Sequence, residues 1–153
     1  MDSISYQKVL KLLLNSQTYP GLVQRKDNEV KLTLWRNNTL GNFISWTIFE
    51  VDNQYYLRQI RWEQRNSYLL NEPNTYGADI MVSQEIMHPI MKSVANFDFN
   101  LLAPKNGLTI DGVKYGINIK EKKVEWYDEP KGPFLTNHMI CLDTIRCFEN
   151  LFC

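Results

Sequence analysis

Two histidines, His88 and His138, and three cysteines, Cys141, Cys147 and Cys153, are the side chains best suited to metal binding or nucleophilic chemistry. His138 and Cys141 stand at i and i+3, which on a helix shares one face. A metal centre needs three or four such ligands, and His88 is the only other histidine. His138 is therefore read as a residue near a helix start and Cys141 as core, with no metal and no cofactor expected. The neighbouring carboxylates Asp128 and Glu129 suit acid–base work, but no pKa-perturbing partner can be named for them from sequence. G-x-S-x-G and Gly-rich phosphate loops are absent from the sequence. A non-catalytic protein is expected, with its cysteines reduced in a cytoplasmic setting.

Two other constellations suit binding. Lys105, Lys114, Lys120, Lys122 and Lys123 gather around a predicted meander, and Arg58, Arg61 and Arg65 interleave with Tyr55, Tyr56, Trp62 and Tyr68. Cations among aromatics serve single-stranded nucleic acid through phosphate contact and base stacking. The chain as a whole has no basic excess, since 17 Lys and Arg balance 17 Asp and Glu, so nucleic acid is the alternative rather than the preferred partner. Aromatics set beside charges of both signs form the second constellation: Trp46, Tyr55, Glu63, Arg65, Tyr68, Glu72, Trp126, Tyr127, Asp128 and Glu129. That composition is typical of protein-interface anchors, and these ten are the candidate partner-binding residues.

The elements that must position them follow from periodicity. At 153 residues and 44% hydrophobic, the chain is long enough for one domain, residues 1–153, with a real core. Its start, MDSISYQKVLKLLLNS, lacks the pattern of a secretory signal, because Asp2, Lys8 and Lys11 interrupt it. No apolar run reaches membrane-span length. Ile4–Asn15 reads as a helix ended by Tyr19-Pro20-Gly21. Leu22–Arg25 is a candidate short strand, and Val30–Arg36 alternates as a strand. Phe43–Glu63 is a hairpin turning at Asp52-Asn53, rich in Phe, Ile, Trp, Tyr and Val. Tyr76–Val82 is a further strand, and Ser83 caps a helix that contains Pro89. Leu108–Ile110, Val113–Ile119 and Lys123–Tyr127 form a second meander, with tight turns at Asp111-Gly112 and Glu121-Lys122. Thr136 or Asn137 caps a last helix running to about Phe152. The prediction is an α+β fold of two antiparallel meanders, forming one curved sheet or two packed ones, with three helices.

The first hairpin is apolar on both faces. One face carries Phe43, Phe49, Ile60 and Trp62, and is expected to be the main core side. The other carries Trp46, Ile48, Tyr55 and Leu57, and is expected either to seat the N-terminal helix or to receive a partner. Placing Arg36 opposite Phe43 puts Leu32 and Leu34 on the first face and Trp35 on the second. The second meander alternates with a polar outer face of Lys114, Gly116, Asn118, Lys123, Glu125 and Tyr127.

The stretches ISWTIFEVDNQYYLRQIRWE, EPNTYGADI, IDGVKYGINI and VEWYDEPKGPF, spread over residues 43–134, resemble small bacterial immunity proteins of polymorphic and contact-dependent growth inhibition toxin systems. That resemblance implies a cytoplasmic, non-catalytic antitoxin that binds one cognate protein toxin and blocks its active site. For a basic nuclease toxin, the carboxylates Glu50, Asp52, Glu63, Glu72, Asp128 and Glu129 are the matching charges. The strands-then-helix order, occurring twice, is also similar to that of Whirly-type single-stranded nucleic-acid-binding proteins, a likeness of element order that carries no function with it.

Overall fold

The computed structural model describes residues 3–38, 41–64, 74–103 and 112–153. In chain order the elements are helix α1 (Ser3–Leu14), a 3-10 turn (Ser16–Thr18), strands β1 (Glu29–Asn38), β2 (Asn42–Val51), β3 (Gln54–Glu63) and β4 (Thr75–Val82), helix α2 (Gln84–Val94), strands β5 (Val113–Ile119) and β6 (Lys122–Tyr127), and helix α3 (Phe134–Leu151). The fold is α+β. Its strands form one antiparallel sheet in the order β4-β3-β2-β1-β5-β6, not two packed sheets. Residues 22–25 are irregular rather than a strand, and the expected strand Leu108–Ile110 with its turn residue Asp111 lies outside the described residues.

The β2–β3 hairpin has the register its sequence suggests, from Val51 opposite Gln54 to Phe43 opposite Trp62. Asp52 and Asn53 take φ of 50° and 66°, the left-handed pair of a two-residue hairpin turn. The β1–β2 register differs from expectation by one residue. Glu29 and Val30 pair with Glu50 and Phe49, then Lys31 is passed over, and Leu32 pairs with Ile48. This bulge shifts every later pair, so that Asn37, not Arg36, faces Phe43. Because side chains alternate across a strand, one extra residue exchanges the faces of all of β1 beyond it.

The two cores are thereby redistributed. Leu32 and Leu34 join Ile44, Trp46, Ile48, Tyr55 and Leu57 in the larger core, which α2 and α3 cover with Met87, Ile90, Ile145 and Phe148. Trp35 joins Phe43, Ile60 and Trp62 in the smaller core, which α1 covers with Val9 and Leu13. The main core side is thus the Trp46 face, and the N-terminal helix sits on the opposite one. Trp35 lies flat against β5 where Gly116 has no side chain; a Cβ there would stand 2.0 Å from the indole ring. The outer face of β5–β6 is accordingly not the clean polar surface its alternation predicts.

A polar row crosses the α1 side of the sheet through all six strands: Asp79, Arg58, Thr47, Thr33, Asn118 and Lys123 lie side by side. Arg58 is fully buried. Its guanidinium grips Asp79 through Nε (2.7 Å) and Nη2 (2.8 Å) and donates to the carbonyls of Ser16 and Val23. These four hydrogen bonds, two of them to a carboxylate, offset the cost of burying the cation. The interaction ties the irregular stretch after α1 to the sheet.

The remaining turns refine the sequence picture. The β5–β6 turn is Lys120-Glu121, with φ of 48° and 70°, one residue before the predicted position. Ser83 caps α2 by accepting from the Ile86 amide. Helix α3 starts at Phe134, after Pro133, not at Thr136 or Asn137. Asn137 lies within its first turn and is buried, exchanging 2.9 Å hydrogen bonds with the Asp98 backbone.

Candidate partner-binding surface

Helix α3 lies across the larger core with Phe148 against Trp46 (6.3 Å between ring centres) and Glu149 paired to Arg36 at 2.9 Å. Helix α2 covers the opposite end, where His88 meets the Tyr55 ring edge-on at 5.9 Å. Beyond the end of α3, towards edge strand β4, a groove of about 370 Å³ lies open on the sheet, lined by Gln59, Arg61, Glu63, Tyr76, Gly77, Ala78 and Phe152. The register explains the set. Gln59 and Ala78 are cross-strand partners, as are Arg61 and Tyr76, and all four share the helix-covered face.

The groove is rich in donors. Trp46 Nε1 donates to Gln59 Oε1 at 2.9 Å, which leaves the Gln59 amide N–H groups for the groove. Arg61 Nε is buried and has no hydrogen-bond partner. Among the described residues, Arg25 and Arg58 pair with Asp79, Arg36 with Glu149 and Arg146 with Asp143, whereas Arg61 meets no carboxylate. Tyr76 is 57% exposed beside it, and Met81, further along β4 on the other face, is 65% exposed.

Comparison of the chain with known protein families, characterised proteins and solved structures finds no match. The surface is therefore read from its own residues.

The ten sequence candidates separate into groups. Trp46, Tyr55 and Trp126 are buried in the larger core, out of reach of a partner in this conformation, because α2 and α3 cover the face that sequence left open. Glu63 lines the groove. Gln64, next to it, is tied to Asn37 Oδ1 and the Asn38 carbonyl. Arg65, Tyr68 and Glu72 lie outside the described residues. Tyr127 is half-buried on the α1 side, with Lys114 Nζ 5.8 Å from its ring centre. Asp128 and Glu129 are exposed at the same end of the sheet as Glu63. Four strand spacings, on the order of 20 Å, separate the two groups. Sequence singled out neither Tyr76 nor Phe152, because which strand forms an edge and where a helix stops on a sheet are tertiary facts.

The second candidate cluster is a closed triad rather than a site. Trp126 Nε1 donates to His138 Nδ1 at 2.9 Å, and His138 Nε2 lies 3.2 Å from Asp128 Oδ1. An indole nitrogen is only a donor, so Nδ1 must be the unprotonated nitrogen and Nε2–H donates to Asp128. Burial lowers the His138 pKa, against the opposing pull of Asp128. Both imidazole nitrogens are engaged, and neighbouring Cys141 is a buried thiol whose pKa burial pushes far up. The His138–Cys141 pair therefore offers neither a free ligand nor a thiolate. No group of three or more His, Cys, Asp or Glu able to hold a metal ion occurs among the described residues.

A smaller cavity of about 280 Å³ opens on the α1 side between the 3-10 turn and the polar row, with Thr33, Thr47 and Asn118 as floor and Lys120 at the rim. Ser16 Oγ donates across it to Thr47 Oγ1 at 2.9 Å. Among the described residues, no helix is long and apolar enough to cross a membrane.

Proposed function

We propose that this chain is a non-catalytic binding protein of the immunity type, which neutralises a cognate protein toxin by occluding its active site in the cytoplasm. The observation that carries the reading is the open corner of the sheet, where Tyr76, Phe152 and Arg61 surround the groove beyond the end of α3. Tyr, Phe and Arg are enriched at protein interfaces, and here two aromatic rings stand beside Gln59, Arg61 and Glu63 in one concave site. The exposed acids Asp128 and Glu129, across the sheet from the groove, add negative charge that steers a basic partner.

Charge pairing favours a protein over nucleic acid. Lys31, Lys114, Lys123, Arg25, Arg36 and Arg58 each sit against a carboxylate of this chain, so few cations of the sheet remain to replace counterions on a phosphate backbone. The test is co-expression with the toxic protein encoded beside the gene. Wild-type chain restores growth and Tyr76→Asp does not. A wild-type chain that leaves the neighbour's toxicity unchanged, or a locus with no toxic neighbour, contradicts the proposal.

A further inference from the structure

The two edges of the sheet are built differently. Edge strand β6 reads KKVEWY, with Lys122, Lys123 and Glu125 placing three charges on it. Charged side chains are how proteins protect an open edge from pairing with another chain. Edge strand β4 reads TYGADIMV. Its one charge, Asp79, points to the α1 side and is held by Arg58 and Arg25. It carries no lysine and no proline, and its eight residues pair with β3 without a register shift. In the described sheet nothing pairs with its outer side. Apart from that inward, already neutralised carboxylate, the edge is regular and presents no charge to its outer side, which makes it a template for one more strand.

The groove opens onto this same edge. Ala78, exposed and small between Tyr76 and Ile80, leaves a notch on the helix-covered face. Behind that notch stand the Gln59 amide and Arg61, whose buried Nε lacks an acceptor. A buried donor of a cation without an acceptor in the protein is costly, and a carboxylate brought by a partner satisfies it with charge assistance. Strands lie about 4.8 Å apart, so a carboxylate on a strand added outside β4 comes within the combined reach of its own side chain and that of Arg61.

We infer that β4 is a strand-addition site: it takes an extended segment of the partner protein and seats an acidic side chain of that segment on Arg61 and Gln59. This deepens the binding function proposed above and rests on it. Backbone pairing supplies affinity, and the acid in the groove supplies selectivity. A second copy of the chain offers only Asp79 as an acid on its own β4, and that residue points to the other face and is already paired. A partner segment therefore fits the groove better than self-pairing does.

The probe is a blocked peptide of alternating Thr and Val with one central Glu, titrated into the full isotope-labelled chain and followed by NMR. The expected result is movement and slowed exchange of the Thr75–Val82 amides, with the Arg61 Nε–H signal shifting. The Glu peptide binds about tenfold tighter than its Gln counterpart, as one charge-assisted bond requires. Arg61→Gln removes that preference without abolishing binding. A peptide N-methylated on alternate residues, which cannot pair with the edge, does not bind; this control leaves the protein itself unaltered. Unmoved β4 amides, equal binding of Glu, Gln and Lys peptides, tolerance of N-methylation, or a chain that dimerises through β4 on its own would each overturn the inference. Growth rescue separates the two levels. Rescue that persists and is lost in Tyr76→Asp, while the peptides fail, removes strand addition but keeps the binding function; absence of rescue removes both.

Discussion

Trp126 Nε1 and His138 Nδ1 are joined by a 2.9 Å hydrogen bond inside the larger core, with Tyr115 edge-on to the imidazole at 5.0 Å. The bond requires Nδ1 to be unprotonated. A protonated His138 would point an N–H at the indole N–H and leave both without a partner. Burial holds its folded-state pKa below the ordinary 6.5. The sign then follows from linkage: the unfolded chain takes up this proton before the folded one does. The stabilising contribution is full above about pH 6.5 and is lost as pH falls from there towards the folded pKa. Urea midpoints measured from pH 8 to pH 5 are expected to decline below pH 6.5, with Trp fluorescence reporting the same window. His138→Gln should flatten that decline.

Arg58 and Asp79 make a second test of a buried polar contact. Asp79→Ala leaves a fully buried guanidinium with only two carbonyl acceptors, Ser16 and Val23. Breaking one partner of a buried pair costs about 3–5 kcal/mol, and equilibrium urea unfolding should read that loss. The stretch between the 3-10 turn and β1, which the guanidinium anchors, should gain hydrogen exchange first.

Gly116 is required by Trp35. A methyl group at that position would meet the ring at 2.0 Å, so the indole or strand β5 must move. Gly116→Ala should destabilise by about 1–3 kcal/mol, the usual cost of overpacking, and should shift the near-UV signal of the tryptophans. A neutral substitution would show that the two strands stand further apart.

The Lys120-Glu121 turn holds two non-glycine residues at positive φ. Asn-Gly fits such a turn with least strain. The double variant Lys120→Asn, Glu121→Gly is expected to raise stability by roughly 1 kcal/mol, read as a higher melting temperature.

Much of the fold was legible in local pattern. The β2–β3 hairpin could be registered residue by residue, because a two-residue turn at Asp52-Asn53 leaves one alignment. The β1–β2 register could not, because the bulge at Lys31 has no signature in the alternation of Val30, Leu32 and Leu34. That one residue decided which face holds Trp35 and which holds the main core. The candidate surface was read less well. Aromatic residues in strands mark core and interface alike, so Trp46, Tyr55 and Trp126 could be sorted only by seeing which helix lay over them. Glu63 and Arg61 were visible as charges in an apolar hairpin, but the groove they line exists only because α3 stops short of β4.

The central claim, that this corner binds a partner protein, is tested most directly by the affinity of the chain for the toxin that the proposed function assigns to it. Tyr76→Ala and Arg61→Glu should each raise the dissociation constant by about 30-fold or more, the scale of a hot-spot residue. Leu135→Ser and Met139→Ser, on the exposed side of α3 away from the groove, should leave it unchanged. Unaltered affinity in the two groove variants, with loss in the α3 variants, would contradict the account.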